Sequence, residues 1–408
     1  MNRREFLKNG LIAAGGTMIL AACGKKEIIM KEGQIAKRDF NGIDVPLLGL
    51  GCMRLPMTKN NEIDQDELEK MVDYCMEHGS NYFDTAYMYV GGKSEIAIGE
   101  ALKKYKRSDF LLADKMPLFH VKKPKDVQRI FSEQLKKCQV DYFDFYLCHN
   151  INGNTAASYR NNNVYDELLK LKKEGKIKFL GFSFHGTPEL LREVVKEHKW
   201  DFCQLQINYL DWRVVKANEQ YEIAQAEGIP VTVMEPLRGG ALVNLSEKAM
   251  ARLKADCPDI SPAAFGLRWA ASRHNVVTVL SGMSNIQQVR ENIATFMEYK
   301  DLTPEEDKTA EAIAQIIQSQ GEINCTACKY CLEACPRDIN IPAAFALYNQ
   351  YKGNGRAGQF RMYYDTLGES ERPENCIQCG LCTKNCPQNI KIPELLAKIA
   401  NEYKKING

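Results

Sequence analysis

The sequence predicts a (β/α)8 TIM barrel followed by a second, small and mainly helical domain. Short β-type runs alternate with amphipathic helical stretches from residue 36 to residue 300, as in βαβ units around a parallel sheet. Eight such units in a span of roughly 250 residues are typical of a TIM barrel. Eight of the 15 cysteines lie between residues 325 and 386, outside the alternating region. A length of 408 residues is enough for one large and one small domain.

The charge balance argues against nucleic acid as a partner. The chain has 54 Lys and Arg residues against 52 Asp and Glu residues, a formal net charge of +2. A field of that size does not attract a polyanion, so we predict no nucleic-acid binding. After residue 24, no apolar stretch is long enough to span a bilayer.

Residues 1–24 are predicted to be a signal peptide, because a basic start precedes an apolar stretch too short for a membrane span. Arg3 and Arg4, with the four residues after them, resemble the twin-arginine export motif. Residues 20–23 resemble a lipobox, in which cleavage before Cys23 leaves a thiol for lipid attachment. We therefore expect an exported protein, periplasmic or tethered to the membrane through a lipid on Cys23. An ordinary amphipathic N-terminal helix on a cytoplasmic protein is the alternative.

The barrel region is predicted to contain eight strands with helices between them. The strand segments are residues 45–50, 82–84, 110–115, 143–148, 178–183, 202–207, 231–235 and 276–281. Helices are predicted at residues 65–78, 125–138 and 164–174, among others. Chemistry in such barrels is located where the strands end. The polar residues at these ends are Asp84, Lys115, His149, Ser183 and Gln206.

A known family resembles this region through motifs that recur in the same order. Residues 79–89 read GSNYFDTAYMY and resemble the aldo-keto reductase signature, a glycine-containing turn followed by F-D-T-A-x-x-Y. The match continues through GGKSE at residues 91–95. Further matches are residues 46–51, 144–149, 181–183 and 291–292. The sequence is therefore similar to the aldo-keto reductases from residue 46 to residue 292.

The resemblance implies a catalytic tetrad of Asp84, Tyr89, Lys115 and His149. Reducing a carbonyl group requires a hydride donor and a proton donor for the developing alkoxide. A tyrosine with a pKa of about 10 is a poor acid at neutral pH, and we expect the Lys115 ammonium to lower the pKa of Tyr89. Asp84 would hold Lys115, and His149 would orient the carbonyl group. The alternative is that the four are buried polar groups that satisfy one another at the barrel mouth.

The resemblance also implies a nicotinamide cofactor. The residues expected to contact it are Ser183, Gln206, Ser281, Ser284, Asn285, Gln288, Glu291 and Asn292. Ser183 and Gln206 match the residues that hydrogen-bond the nicotinamide carboxamide. Gly282 replaces the lysine of the phosphate loop, and Gln288 replaces the arginine that contacts the 2′-phosphate. Since a 2′-phosphate needs cationic partners, the choice between NADH and NADPH stays open.

The clustered cysteines predict a metal-binding domain. Residues 325–336 and 376–387 both follow C-x2-C-x2-C-x3-C-P, the bacterial ferredoxin pattern, which implies two 4Fe–4S clusters. The fourth cysteine of each run serves the other cluster in this pattern. One cluster would then be held by Cys325, Cys328, Cys331 and Cys386, and the other by Cys335, Cys376, Cys379 and Cys382. Zinc or free thiols are the alternatives.

The segment between the two cysteine runs indicates which kind of ferredoxin the domain resembles. Residues 337–375 are long for a compact β-type ferredoxin and contain a helical run at 343–351. The domain therefore resembles the α-helical ferredoxin type. The other seven cysteines are scattered, and we predict that they are small buried hydrophobic residues.

The predicted domains are a signal peptide at 1–24, a barrel at 36–300, a connecting helix at 301–320 and a ferredoxin-type domain at 321–408. Residues 303–320 form a charged helix that is either a rigid connector or a last helix covering the barrel.

We predict an oxidoreductase that reduces a small carbonyl substrate with a nicotinamide cofactor. Two 4Fe–4S clusters would relay electrons to or from an unidentified redox partner. Nicotinamide transfers two electrons as hydride, whereas each cluster transfers one, and we find no flavin signature that would connect them. The alternative is an electron-transfer protein in which the barrel is a binding scaffold without nicotinamide chemistry.

Overall fold

The computed structural model describes residues 18–20, 28–320 and 323–407. The predicted signal segment, with Cys23, lies outside these residues except for residues 18–20. In the part of the chain that the structure describes, no helix is both long enough and apolar enough to cross a membrane.

A small antiparallel sheet precedes the barrel. Its strands, in spatial as well as chain order, are β1 (Met18–Leu20), β2 (Ile28–Met30), β3 (Lys37–Phe40) and β4 (Ile43–Pro46). Asn41 and Gly42 join β3 to β4 with φ of 51° and 84°, as a type I′ hairpin turn requires. The Phe40 ring packs 5.4 Å from Phe145 and 4.8 Å from Phe179, ring centroid to centroid. The hairpin therefore fills the barrel interior at one end.

Eight parallel strands of the described residues close into the predicted barrel, in the order β10-β11-β12-β5-β6-β7-β8-β9. They are β5 (Leu48–Gly51), β6 (Tyr82–Asp84), β7 (Leu111–Pro117), β8 (Phe143–Ile151), β9 (Ile177–Phe184), β10 (Phe202–Gln206), β11 (Val231–Met234) and β12 (Val276–Ser281). The prediction of one strand at residues 45–50 is wrong. Its first half is β4, which pairs antiparallel with β3, and only its second half enters the barrel between β12 and β6.

Helices cover the outside of the barrel. They are α1 (Gln65–Glu77), α2 (Ser94–Leu102), α3 (Lys125–Cys138), α4 (Ala156–Asn161), α5 (Val164–Lys173), α6 (Pro188–Glu197), α7 (Asp211–Val214), α8 (Ala217–Ala226), α9 (Glu247–Asp256), α10 (Pro262–Ala271), α11 (Ile286–Met297) and α12 (Pro304–Ser319). Thr303 begins α12 with a capping box that it forms with Glu306. The buried side chains of α12, including Ile313 and Ile317, join the barrel core. This helix therefore covers the barrel.

The residues after the barrel form a helical domain with its own core. Its helices are α13 (Tyr330–Glu333), α14 (Ile341–Asn354), α15 (Ala357–Tyr364), α16 (Leu381–Lys384) and α17 (Ile392–Asn407). Phe345, Tyr348, Tyr364, Leu396 and Ile399 are at the centre of this core. A small, mainly helical second domain is thus confirmed.

An internal repeat is visible in the backbone of this domain. Ala327 and Lys329 have φ of 51° and 69°, and the matching positions Gln378 and Gly380 have φ of 56° and 74°. The short helices α13 and α16 begin directly after these turns. The two cysteine runs therefore fold alike.

The scattered cysteines behave as predicted wherever they are described. Cys52, Cys75, Cys138, Cys148, Cys203 and Cys257 are all buried, as expected for small apolar side chains. Cys23 lies outside the described residues.

Candidate functional site

The four tetrad candidates meet at the ends of three neighbouring strands. Asp84 ends β6, Lys115 and His149 lie in β7 and β8 two residues before their ends, and Tyr89 follows in the loop after β6. Lys115 Nζ lies 2.5 Å from Asp84 Oδ1 and donates to the Thr85 carbonyl oxygen at 2.6 Å. The pair is buried, so the two opposite charges stabilise each other out of water.

Tyr89 lies above this pair and beside His149. Lys115 Nζ is 4.9 Å from the centre of the Tyr89 ring, and the Tyr89 and His149 ring centroids are 6.0 Å apart, nearly perpendicular. Burial and the Asp84 carboxylate raise the pKa of Tyr89 well above its ordinary value. Burial and the Lys115 ammonium lower the pKa of His149 well below its ordinary value. At neutral pH the phenol is therefore protonated and the imidazole is neutral.

The raised pKa of Tyr89 differs from our expectation that Lys115 would lower it. Lys115 is bound to Asp84 at 2.5 Å, so the charge near the phenol is balanced and desolvation dominates. Tyr89 is thus held in its protonated form.

A cavity of about 470 Å³ opens above the tetrad, and we call it the catalytic cavity. Asp84, Tyr89 and His149 line it, whereas Lys115 lies buried beneath it. Five of the predicted cofactor contacts also line it: Ser281, Ser284, Gln288, Glu291 and Asn292. Its polar lining would therefore suit an elongated ligand that reaches from the tetrad to the start of α11.

The other three predicted cofactor contacts do not line the catalytic cavity. Ser183 Oγ accepts a hydrogen bond from the Asn150 N–H at 2.7 Å. The Asn285 side chain caps α11 by accepting from the Gln288 N–H at 2.9 Å. Gln206 belongs to an adjacent cavity, and its amide is engaged elsewhere.

Gln206 pairs with the second domain through its side-chain amide. Its Nε2 donates to Gln388 Oε1 at 3.0 Å, and Gln388 Nε2 donates back to Gln206 Oε1 at 2.7 Å. Gln206 Nε2 also donates to Asp211 Oδ2 at 2.7 Å. Gln388 is the second residue after Cys386. The amide that the family resemblance assigns to the nicotinamide carboxamide is thus bound to a carboxamide of the chain itself.

Arg54 forms a second link between the domains, and sequence reasoning missed it. Its Nη2 donates to the Thr326 carbonyl oxygen at 2.6 Å. Gly239, at φ of 65°, lies so close that a Cβ would be 2.2 Å from the same oxygen, so only glycine fits there. Among the described residues lining the catalytic cavity, Arg54 is the sole arginine or lysine.

Glu235 is a further residue that the sequence did not single out. It lines the catalytic cavity directly after β11, with φ of 55°. Burial, with the Asp211 carboxylate, raises the pKa of Glu235 to about 7. Its Oε1 lies 3.5 Å from Gln388 Nε2. A perturbed acid in a cavity is typical of functional sites.

The eight clustered cysteines surround two separate cavities. The inner quartet, which borders the barrel, consists of Cys325, Cys328, Cys331 and Cys386. The outer quartet consists of Cys335, Cys376, Cys379 and Cys382. Each quartet takes three cysteines from one run and one from the other, the grouping that the ferredoxin pattern implies.

The chemistry of the two quartets fits iron–sulfur clusters. Both cavities have apolar walls, with Phe345 and Ile392 at the inner quartet and Leu396 at the outer one. Burial raises the pKa of Cys328 to about 12, so a bound metal is needed to hold the sulfur as thiolate. The Ala327 N–H points to Cys325 Sγ at 3.4 Å, a contact that favours the charged sulfur.

The second domain supplies part of the catalytic cavity. Thr326, Cys328, Tyr330 and Pro387 line it together with the barrel residues. Cys328 lines both this cavity and that of the inner quartet. The inner quartet and the tetrad are therefore neighbours across one cavity wall.

Comparisons with known proteins agree with this geometry. A family model described as the aldo/keto reductase family matches residues 47–315, and one described as a 4Fe-4S dicluster domain matches residues 324–391. A probable aldo-keto reductase 1 of Glycine max is 26% identical over 313 residues, covering 67% of this chain and 88% of that protein. The NADH-specific methylglyoxal reductase of Escherichia coli is 25% identical over 264 residues, covering 53% and 78%.

The solved structures include an aldo-keto reductase AKR11C1 from Bacillus halodurans in its holo form. It is 26% identical, with a TM-score of 0.58, and the match covers 69% of this chain and 96% of that chain.

Proposed function

The chain belongs to the aldo/keto reductase family and carries a 4Fe-4S dicluster domain, and on that premise we propose that it reduces a small carbonyl substrate with a nicotinamide cofactor. The observation that carries this proposal is the convergence of Tyr89, His149 and the Lys115–Asp84 pair at one cavity.

Each tetrad residue has a distinct part in the reduction. Tyr89, protonated at neutral pH, donates its hydroxyl proton to the carbonyl oxygen as negative charge develops there. His149, as a neutral imidazole, orients the same oxygen. Lys115, held by Asp84, lies below the Tyr89 ring. Its ammonium group attracts the negative charge that Tyr89 acquires as it gives up the proton. A bound nicotinamide would supply the hydride for the carbonyl carbon, and with the proton from Tyr89 the product would be an alcohol.

We propose NADH rather than NADPH as the cofactor. Ser281, Ser284 and Gln288 would hold it at the far end of the catalytic cavity with neutral groups. A 2′-phosphate is recognised by cations, and the guanidinium of Arg54 is already bonded to Thr326. A relative described as NADH-specific supports the same choice.

We propose that each cysteine quartet holds one 4Fe–4S cluster, which would supply single-electron exchange. An external redox partner would approach the outer quartet, because Cys379 is exposed. Anaerobically purified protein should contain iron and sulfide in amounts matching two clusters per chain. Iron-free or zinc-loaded protein would contradict this assignment.

The reduction is tested with Tyr89→Phe in anaerobically purified protein. Because Phe has no hydroxyl proton to donate, the rate of methylglyoxal reduction with NADH should fall about 10²- to 10⁴-fold. Tyr87→Phe is the matched control, because that tyrosine lies in the same loop but bonds Glu133 at 3.3 Å instead. Equal turnover by wild type and Tyr89→Phe would remove the tetrad from the mechanism.

One observation favours a second candidate, an electron-transfer protein with the barrel as a scaffold. Both ends of the Gln206 amide are engaged by Gln388 and Asp211, so this amide is not available to a nicotinamide. Fluorescence titration with NADH and with NADPH separates the two functions. If neither binds below millimolar concentration, the electron-transfer function is the better account.

We also propose export by the twin-arginine route with a lipid on Cys23. The sequence of residues 1–24 supports this, and folding around clusters before export would suit that route. Mass spectrometry of the N-terminal peptide from the native host tests it, and an intact, unmodified Met1 start would contradict it.

A further inference from the structure

We propose that Tyr330, contributed by the second domain, is a substrate-positioning residue of the barrel's active site. Its hydroxyl would donate a hydrogen bond to a second oxygen on the carbon next to the reacting carbonyl. The preferred substrates are then α-dicarbonyl and α-hydroxycarbonyl compounds. This inference rests on the proposed carbonyl reduction and names its substrate class.

The position of Tyr330 is the first support. It begins α13, two residues after Cys328, and lines the catalytic cavity that Tyr89 and His149 also line. It enters from the opposite domain, so the cavity is bounded by phenol groups from two parts of the chain. No other tyrosine of the described residues lines this cavity.

The unpaired hydroxyl of Tyr330 is the second support. Two half-buried tyrosines illustrate the paired case: Tyr87 donates to Glu133, and Tyr351 donates to Glu402. Within the described part of the chain, the Tyr330 hydroxyl has no such partner, and it is not among the occluded polar atoms. A donor that faces a cavity without a protein acceptor is available to a ligand.

The loop that carries Tyr330 is fixed to the barrel, which is the third support. Arg54 holds the carbonyl oxygen of Thr326 at 2.6 Å, and Gly239 packs against the same group. On the other side of the inner quartet, Gln388 and Gln206 form their reciprocal amide pair. A side chain on an anchored loop loses little entropy when it binds substrate, as a positioning residue requires.

Tyr330 is available to bind a second oxygen of the substrate, because the neighbouring polar groups have other partners. Tyr89 and His149 serve the reacting oxygen from the barrel side. Asp84 binds Lys115 and accepts a hydrogen bond from Gln204 Nε2 at 3.0 Å. Its carboxylate is therefore not available to a second oxygen of the substrate. The facing wall carries two hydroxyl groups, those of Thr326 and Tyr330. The Thr326 hydroxyl oxygen is buried, so Tyr330 is the hydroxyl donor that this wall offers to a ligand.

The test compares two substrates of the same carbon skeleton, methylglyoxal and propanal, with NADH and anaerobically purified protein. Tyr330→Phe removes the hydroxyl and keeps the ring. Losing one hydrogen bond should raise the KM for methylglyoxal about tenfold while kcat changes less than twofold. The KM for propanal, which has no second oxygen, should stay unchanged.

A second measurement needs no turnover. Hydroxyacetone, which carries a ketone and an adjacent hydroxyl, is titrated into nucleotide-free protein by calorimetry, and Tyr330→Phe should weaken its binding about tenfold. Tyr363→Phe is the control, since Tyr363 is a half-buried tyrosine of the same domain outside the cavity. The iron–sulfur absorption spectrum should be the same in all three proteins.

Each outcome is informative. Equal KM values for methylglyoxal in wild type and Tyr330→Phe would overturn the inference, and so would equal losses with methylglyoxal and propanal. If wild type reduces neither aldehyde, the proposed function itself fails. The hydroxyacetone titration then still decides whether Tyr330 binds the second oxygen.

Discussion

Tyr89 illustrates how burial and charge compete at a single residue. A lysine beside a tyrosine lowers the pKa of that tyrosine when its charge is uncompensated. Here Asp84 binds Lys115 at 2.5 Å, and desolvation raises the pKa of Tyr89 instead. The phenol is therefore kept protonated, which the proposed proton transfer to a developing alkoxide requires.

His185 predicts how the folded protein responds to acid. It lies beside Gln206 and lines the catalytic cavity, and burial lowers its pKa from 6.5 to about 4. A histidine with a lowered folded-state pKa binds its proton more tightly when unfolded. The stability that His185 contributes is therefore complete above pH 6.5 and is lost as the pH drops towards 4.

The expected loss from His185 between pH 7 and pH 5 is about 2 kcal/mol of unfolding free energy. Urea unfolding at both pH values measures it, and His185→Gln should reduce the difference between them by that amount. An unchanged difference would show that His185 is not the group responsible.

At the scale of elements, the two Cys-Pro runs do more than surround metal sites. The loop after Cys325 reaches Arg54, and the loop after Cys386 reaches Gln206. Among the described residues, the loop after Cys376 makes no hydrogen bond to the barrel, although its backbone follows the same turns as the loop after Cys325. Both halves of the internal repeat thus contact the barrel, the first through Thr326 and the second through Gln388.

Gln388→Leu tests the contact between these elements. The change removes the donor to Gln206 Oε1 and leaves Gln206 Nε2 with Asp211, so we expect a loss of about 1–3 kcal/mol in stability. Thermal and urea unfolding would measure it. Gln350→Leu is the control, since that glutamine is exposed on α14, and a similar loss in both variants would argue against the pairing.

The hairpin of β3 and β4 has a clear sequence signature in its turn. The prediction missed it because it relied on the alternation of strands and helices. Asn41-Gly42 is a strong type I′ turn, and both residues have positive φ. The sequence predicted one strand in place of β4 and β5, because residues 45–50 are almost uniformly apolar. Apolar runs show burial but not which sheet a strand joins.

On the scale of the whole molecule, the catalytic cavity is lined by two domains with separate cores. The barrel provides the tetrad, and the second domain provides Thr326, Tyr330 and Pro387. Because the inner quartet shares Cys328 with this wall, the integrity of one metal site should control the shape of the cavity.

Cys331→Ala and Cys382→Ala test this coupling at equivalent positions of the repeat. Both cysteines are buried and third in their runs, so each variant should lose about half of the bound iron. Only Cys331→Ala, in the inner quartet, should raise the KM for methylglyoxal. Iron analysis and steady-state kinetics measure the two effects, and equal KM values in the two variants would exclude the coupling.

The sequence by itself determined the barrel, the tetrad positions and the two cysteine runs. The barrel and the cysteine runs follow from periodicity and short-range spacing, and the tetrad positions follow from the resemblance to the aldo-keto reductase signature. The tertiary structure alone decided that Gln206 binds Gln388, 182 positions away, and that Arg54 holds Thr326, 272 positions away. Such contacts depend on how two independently folded cores dock, and no local pattern encodes that. For the same reason Tyr330, unremarkable in its own segment, comes to line the catalytic cavity only when the domains meet.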